Sequence, residues 1–198
     1  QEEINWLEGE LNVERQKALK LNKPSKLAML KDATVWKLAI FYFAGYTGVY
    51  GLSFWVPTII KSLSAVTTTN MEIGWMAMLP SLVGIPAIIF TGLNADRTGK
   101  HKIHLVVCLL IATAGFIGCA LATTLWPMVA MLSLASAGLY GFTGSFFAYL
   151  TFFFTESTAP VGIALVNSFA ALGGFVGPTI LGMFVLETGM FALAAILV

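Results

Sequence analysis

The residues best placed to do chemistry in this sequence are neutral. Tyr42, Tyr46 and Tyr50 recur at i, i+4 and i+8, with Ser53 close to the same stripe; Tyr140, Ser145, Tyr149 and Thr151 are scattered among phenylalanines further on. Asn167 and Ser168 sit together in a long apolar stretch. Hydroxyls and an amide donate and accept hydrogen bonds and aromatic rings wall a cavity, but none of these groups exchanges protons near neutral pH. An amide in hydrocarbon needs partners, so Asn167 meets either a ligand in an aqueous cavity or a neighbouring helix that it holds. No His, Cys, Asp and Glu cluster has metal-ligand spacing, and no nucleophile has a base near it in sequence. Catalysis, a metal and a cofactor are therefore not expected.

One charged constellation stands out. The segment GLNADRTGKHK sets Gly92, Asp96, Arg97, Gly99 and Lys100 in the pattern G-x-x-x-D-R-x-G-K. The two glycines permit close approach and a tight turn, Asp96 suits a helix N-terminus, and the basic residues suit one side of a membrane.

The elements that must position these groups follow from composition. Hydrophobic residues make up 58% of the 198 and charged residues 11%, with a net charge of +1 and a mean hydropathy of +0.84. Soluble domains carry about 25% charge, so this chain cannot cover a water-facing surface. A soluble enzyme is excluded, and a nucleic-acid-binding domain too, since no basic excess exists to neutralise phosphates. Of 21 charged side chains, 13 lie in residues 1–37, and from Ile103 onward only Glu156 and Glu187 remain. The sequence thus predicts an all-α integral membrane bundle, residues 34–198, behind a polar lead, residues 1–33. A bilayer core about 30 Å thick needs roughly 20 apolar residues in a helix. Five stretches qualify: Leu38–Ile60, Ile73–Leu93, Ile103–Leu125, Pro127–Phe154 and Val161–Leu186; a sixth starts at Met190 and reaches only Val198.

The short polar breaks between spans, Lys61–Glu72, Asn94–Lys102, Leu125–Pro127 and Thr155–Pro160, make successive helices antiparallel. Alternating the sides gathers Arg15, Lys17, Lys20, Lys23, Lys26, Lys31, Lys37, Arg97, Lys100 and Lys102 on one side and leaves Lys61 on the other. Positive charge marks the cytoplasmic side, which places residues 1–37 and 94–102 there. In the lead, Ile4, Leu7, Leu11 and Ala18 form an amphipathic face that ends near Asn22-Lys23-Pro24, and Leu27, Met29 and Leu30 suit the membrane interface. Asp32 is the expected N-cap of the first span.

Small residues are patterned inside the spans. Ala114, Gly118 and Ala122 repeat every four positions, Gly138, Gly141, Gly144 and Ala148 run along another helix, and Gly173 with Gly177 forms a GxxxG. Such stripes let membrane helices approach closely. Gly45, Gly48, Gly51 and Pro57 in the first span, and Gly173-Gly174 to Gly177-Pro178 in the fifth, also weaken the helical ladder, and bent helices are typical of secondary transporters. Cys108 and Cys119, eleven residues apart on one helix face, sit about 16 Å from each other and cannot pair; they serve as small packing residues.

The G-x-x-x-D-R-x-G-K segment, placed between the second and third spans, resembles the signature loop of the major facilitator superfamily. YGLSFWVPTIIKSL (Tyr50–Leu63), IGWMAMLPSLVGIPA (Ile73–Ala87), ADRTGKHKIH (Ala95–His104), GIALVNSFAALGGFVGP (Gly162–Pro178) and the lead WLEGELNVERQKAL are similar to its anion:cation symporter branch. The resemblance implies the C-terminal six-helix half of such a carrier with the last helix truncated, partnered by a missing N-terminal six-helix half. It implies a multi-pass plasma (inner) membrane protein that moves a small organic carboxylate anion with a proton or sodium ion, with the charged groups on the missing half. It places Asn167, Phe147, Thr151 and Tyr50 at the substrate cavity, and gives Gly92, Asp96, Arg97, Gly99 and Lys100 the role of pinning neighbouring helices. A non-transporting membrane scaffold or receptor built on the same bundle is the alternative.

Overall fold

The computed structural model describes residues 31–64, 68–154 and 158–188, with side chains as far as Met183. The amphipathic lead, its stop at Pro24, Glu156 and the segment from Met190 lie outside the described residues. Six helices follow in order: α1 Ala33–Leu63, α2 Asn70–Thr98, α3 His101–Leu121, α4 Leu125–Leu150, α5 Ala159–Ala171 and α6 Gly173–Thr188. No strand occurs among the described residues. By length and apolarity α2, α3, α4 and the combined α5–α6 unit, Ala159–Met183, can each cross a membrane. α1 has 31 residues, about 46 Å, but its tyrosines, glycines and Thr47 dilute its apolar character.

Local chemistry sets the helix ends. Asp32 caps α1 as expected, its carboxylate accepting from the Thr34 N–H at 2.8 Å. Thr69 opens α2 with a capping box: its hydroxyl accepts from the Glu72 N–H at 3.3 Å, and the Glu72 carboxylate accepts from the Thr69 N–H at 2.7 Å. The polar break expected over Lys61–Glu72 is correspondingly shorter, because Asn70–Glu72 are already helical. At the other end α2 continues through Thr98, so Asp96 and Arg97 sit in its last helical turn and not in a loop. Gly99 then stops it in the left-handed conformation at φ 65°, where the missing Cβ removes the strain. α4 ends at Leu150, short of the expected Phe154. There the Phe152 and Phe153 N–H groups turn back to the Tyr149 and Leu150 carbonyls, a tighter i→i−3 turn.

The bends fall differently from expectation in α1 and as expected in the fifth span. α1 is one continuous helix despite Gly45, Gly48, Gly51 and Pro57. Its glycines are contact points: a Cβ on Gly45 would strike the Phe142 ring, and one on Gly51 would meet the Leu181 side chain at 2.8 Å. The fifth span breaks at Leu172 into α5 and α6, just before Gly173-Gly174, and Pro178 lies inside α6.

Close packing is not confined to sequence neighbours. α4 is clasped by α2 and α3, and α1 by α5 and α6, while α1 and α4 also touch. Among the described residues α1 therefore docks on the α5–α6 unit and α4 on α2, so that early and late spans interlock. At the α3–α4 crossing the buried stripe is Cys108, Ala112, Gly115 and Cys119, and Ala114 of the expected small-residue stripe is exposed. A Cβ on Gly115 would overlap the Ala135 backbone, and one on Gly138 the Ala112 and Cys108 backbone. Both cysteines are free and buried, as packing residues should be. Outward faces carry Phe90, Leu110, Leu121 and Phe175, each more than 60% exposed, a surface suited to lipid and not to water.

Candidate functional site

The tyrosine stripe of α1 climbs out of the core. Tyr42 is 0% exposed and Tyr50 40% exposed, with Tyr46 half-buried between them. Their rings touch in sequence, at 4.5 Å for Tyr42–Tyr46 and 5.3 Å for Tyr46–Tyr50. Tyr42 stacks flat on Phe146 of α4, 4.3 Å away and 5° from parallel, and meets Phe147 edge-on at 5.5 Å. Its hydroxyl has Tyr46 and Thr143 for neighbours yet forms no hydrogen bond of good geometry. One aromatic wall thus runs from Phe147 through Tyr42 and Tyr46 to Tyr50.

The four residues expected at the cavity are only partly brought together. Tyr50 and Phe147 belong to this wall, and a Cβ on Gly174 of α6 would lie 3.4 Å from the Tyr50 ring. Asn167 lies on α5, exposed, two residues before Phe169, whose ring contacts Trp36 at 5.7 Å and Phe43 at 5.5 Å. Residues two apart on a helix point about 200° apart, so Asn167 does not share the face that meets α1 through Phe169, while Phe147 reaches α1 from α4. Among the described residues the Asn167 amide has no hydrogen-bond partner. Thr151 stands apart: it caps the end of α4, exposed, its hydroxyl donating to the Ala148 carbonyl at 2.8 Å.

The D-R-x-G-K residues gather at that same end of the bundle. Gly92 is half-buried against the Gly144 backbone. Asp96, Arg97 and Lys100 are exposed and form no ion pair among the described residues. Asp96 does not cap α3; Lys100 occupies the N-cap position without a side-chain cap, and its carbonyl receives the Ile103 N–H at 3.1 Å and lies 3.0 Å from His104 Nδ1. His101 is buried beside the Phe152 ring at 4.8 Å.

A second polar feature escaped the sequence reading. Ser53 of α1, Ser81 of α2, and Ser136 and Tyr140 of α4 line one cavity of about 70 Å³ with Pro57 and Pro80. Ser81 and Ser136 carry no periodic signal; their meeting depends on how α2 and α4 are rotated. Ser81 does follow Pro80 directly, the one local hint of a disturbed helix. Among the described residues no group of His, Cys, Asp and Glu is placed to hold a metal.

The model of the major facilitator superfamily matches residues 38–198. The chain belongs to the major facilitator superfamily. It is 34% identical over 193 residues to the "Putative tartrate transporter" of Agrobacterium vitis, covering 96% of this chain and 42% of that protein. It is 30% identical over 196 residues to the "Quinolone resistance transporter" of Acinetobacter baumannii, covering 96% and 44%. With human sialin it shares 26% identity over 166 residues, covering 77% and 32%. This superfamily chain therefore spans less than half the length of the relatives it matches. It is a multi-pass membrane chain of a transporter family and not an enzyme. A wall with no charged side chain at its centre is what such a chain can offer to a solute: hydrogen bonds, aromatic surface and shape.

Proposed function

We propose that the whole protein is a secondary active carrier that moves a small organic carboxylate by proton symport through alternating access, and that this chain is its C-terminal half. Asn167 carries the reading. An exposed amide with no partner among the described residues, in a membrane-spanning helix, calls for an aqueous cavity or a facing bundle, and Tyr46, Tyr50 and Phe147 supply an aromatic wall on α1 and α4. The likeness to a putative tartrate transporter supports a carboxylate. The spans hold no charged side chain between their ends, so the cation to meet the anion and the acid to carry the proton reside in the other six-helix half. Tyr50, Phe147 and Asn167 line the cavity wall, and Thr151 stands at its mouth. Gly92, Asp96, Arg97, Gly99 and Lys100 hold the ends of α2, α3 and α4 in one of the two arrangements. The excess of basic residues places residues 1–37 and the α2–α3 turn on the cytoplasmic side of the inner membrane.

Uptake of radiolabelled tartrate by the full-length protein in proteoliposomes tests this. A hydrogen bond to a charged group contributes about 1.5–3 kcal/mol, so Asn167→Ala should raise KM by roughly 10-fold or more. Uptake should collapse on adding a protonophore. An unchanged KM and rate would remove Asn167 from the site, and uptake indifferent to the proton gradient would remove proton coupling.

A further inference from the structure

The serine-lined cavity gathers hydroxyls that most other serines and threonines in these helices spend on their own backbone. Thr47, Ser62, Thr91, Ser133 and Thr143 each turn their hydroxyl back to a carbonyl of the preceding turn, at 2.7–3.2 Å. Among the described residues, the side-chain hydroxyls of Ser53, Ser81, Ser136 and Tyr140 make no hydrogen bond. Three helices aim these unspent groups at one cavity of about 70 Å³, room for a small polar arm or a few waters. Ser136 forms its floor at 2% exposure, while Ser53 and Ser81 are exposed at its rim. One proline in the wall adds an acceptor. Pro57 lacks the N–H that would pair with the carbonyl four residues earlier, on Ser53, which itself lines the cavity. The cavity continues the aromatic wall: Ser53 lies three residues beyond Tyr50 on α1, about 4.5 Å along the axis.

The lining selects its occupant. No cationic side chain lines the cavity, so a carboxylate, which only accepts, would find no positive charge there and the proline-freed Ser53 carbonyl repelling it. An alcohol both donates and accepts, and can give its proton to a carbonyl while accepting from Ser136 or Ser81. We propose that this cavity, built from Ser53, Ser81, Ser136 and Tyr140, recognises the hydroxyl groups of a hydroxylated carboxylate substrate. This rests on the carboxylate-carrier reading and adds the feature by which substrates are told apart.

Tartrate and succinate test it, because they share a four-carbon dicarboxylate skeleton and differ by two hydroxyls. In full-length carrier reconstituted in proteoliposomes, KM for tartrate should lie below that for succinate. Ser136→Ala should reduce that preference about 10-fold, the effect of one lost hydrogen bond. Ser136→Cys, close in shape but a weak donor, should follow the alanine variant, and Ser81→Ala at the rim should shift the preference the same way without disturbing a buried position. Variants that change both KM values by one factor would overturn the assignment in favour of a packing role. A changed sodium dependence with an unchanged tartrate preference would overturn it in favour of a cation site. A wild-type carrier that moves both acids with equal KM overturns the cavity's role alone; one that moves neither overturns the carboxylate reading itself.

Discussion

The indole Nε1 of Trp55 donates to the Pro178 carbonyl at 3.1 Å, joining α1 to α6 across 123 residues of sequence. It sits two residues from Pro57 and on the proline of the broken fifth span, so it fixes two irregular helices against each other. The ring also packs near Gly182, where a Cβ would come within 3.2 Å of it.

Trp55→Phe keeps an aromatic ring there but removes the donor. Interhelical hydrogen bonds in membranes contribute about 1 kcal/mol, so the melting temperature of the full-length protein in detergent should fall by a few degrees. No change would show that this bond contributes nothing to holding α1 on α6.

Gly138→Ala should be far more damaging than Gly74→Ala. A Cβ on Gly138 overlaps the α3 backbone at Ala112 and Cys108, which cannot yield as a flexible side chain would, whereas a Cβ on Gly74 meets nothing within 4 Å. Overpacking costs about 1–3 kcal/mol, and an alanine in an open helical position adds up to about 1 kcal/mol of stability. Thermal melts of the two variants should move in opposite directions.

The cap of α2 should be sensitive to acid. The Thr69 N–H and hydroxyl, both donating to the Glu72 carboxylate, hold its pKa below the ordinary value of 4.5. Folding therefore favours the charged form. The stabilisation is fully present above the unfolded-state pKa and is lost as pH falls through the lower folded-state value. Wild type should melt above Glu72→Gln at pH 7, and the gap should narrow only below about pH 4.5 and close in stronger acid.

Lys61 and Lys100 should face opposite sides of the membrane. Lys61 is in the last turn of α1, and α2 returns over 29 residues before Gly99 and Lys100, about 43 Å. In right-side-out vesicles an impermeant maleimide should label Lys61→Cys directly and Lys100→Cys only after permeabilisation. Buried Cys108 and Cys119 should stay unlabelled in both. Labelling of both engineered cysteines from one side would end the threading on which the carrier reading stands.

The features that depend on a few adjacent residues were legible in the chain. Asp32 before an apolar run, Gly99 after one and the weak point before Gly173 all follow from local backbone chemistry. What the sequence could not decide is rotation. In a membrane helix apolar residues cover every side, so periodicity no longer marks the buried face: Ala114, Gly118 and Ala122 look as good a contact stripe as Cys108, Ala112, Gly115 and Cys119, yet the second is buried and Ala114 is exposed. Thr151, which the family resemblance puts at the substrate cavity, stands at the C-cap of α4, a position fixed by where that helix ends at Leu150. Ser53, Ser81 and Ser136 read as unrelated serines until α1, α2 and α4 turn them into one cavity. Composition determined that this chain lives in a bilayer; only the packing of one helix on another determined which of its few polar groups meet.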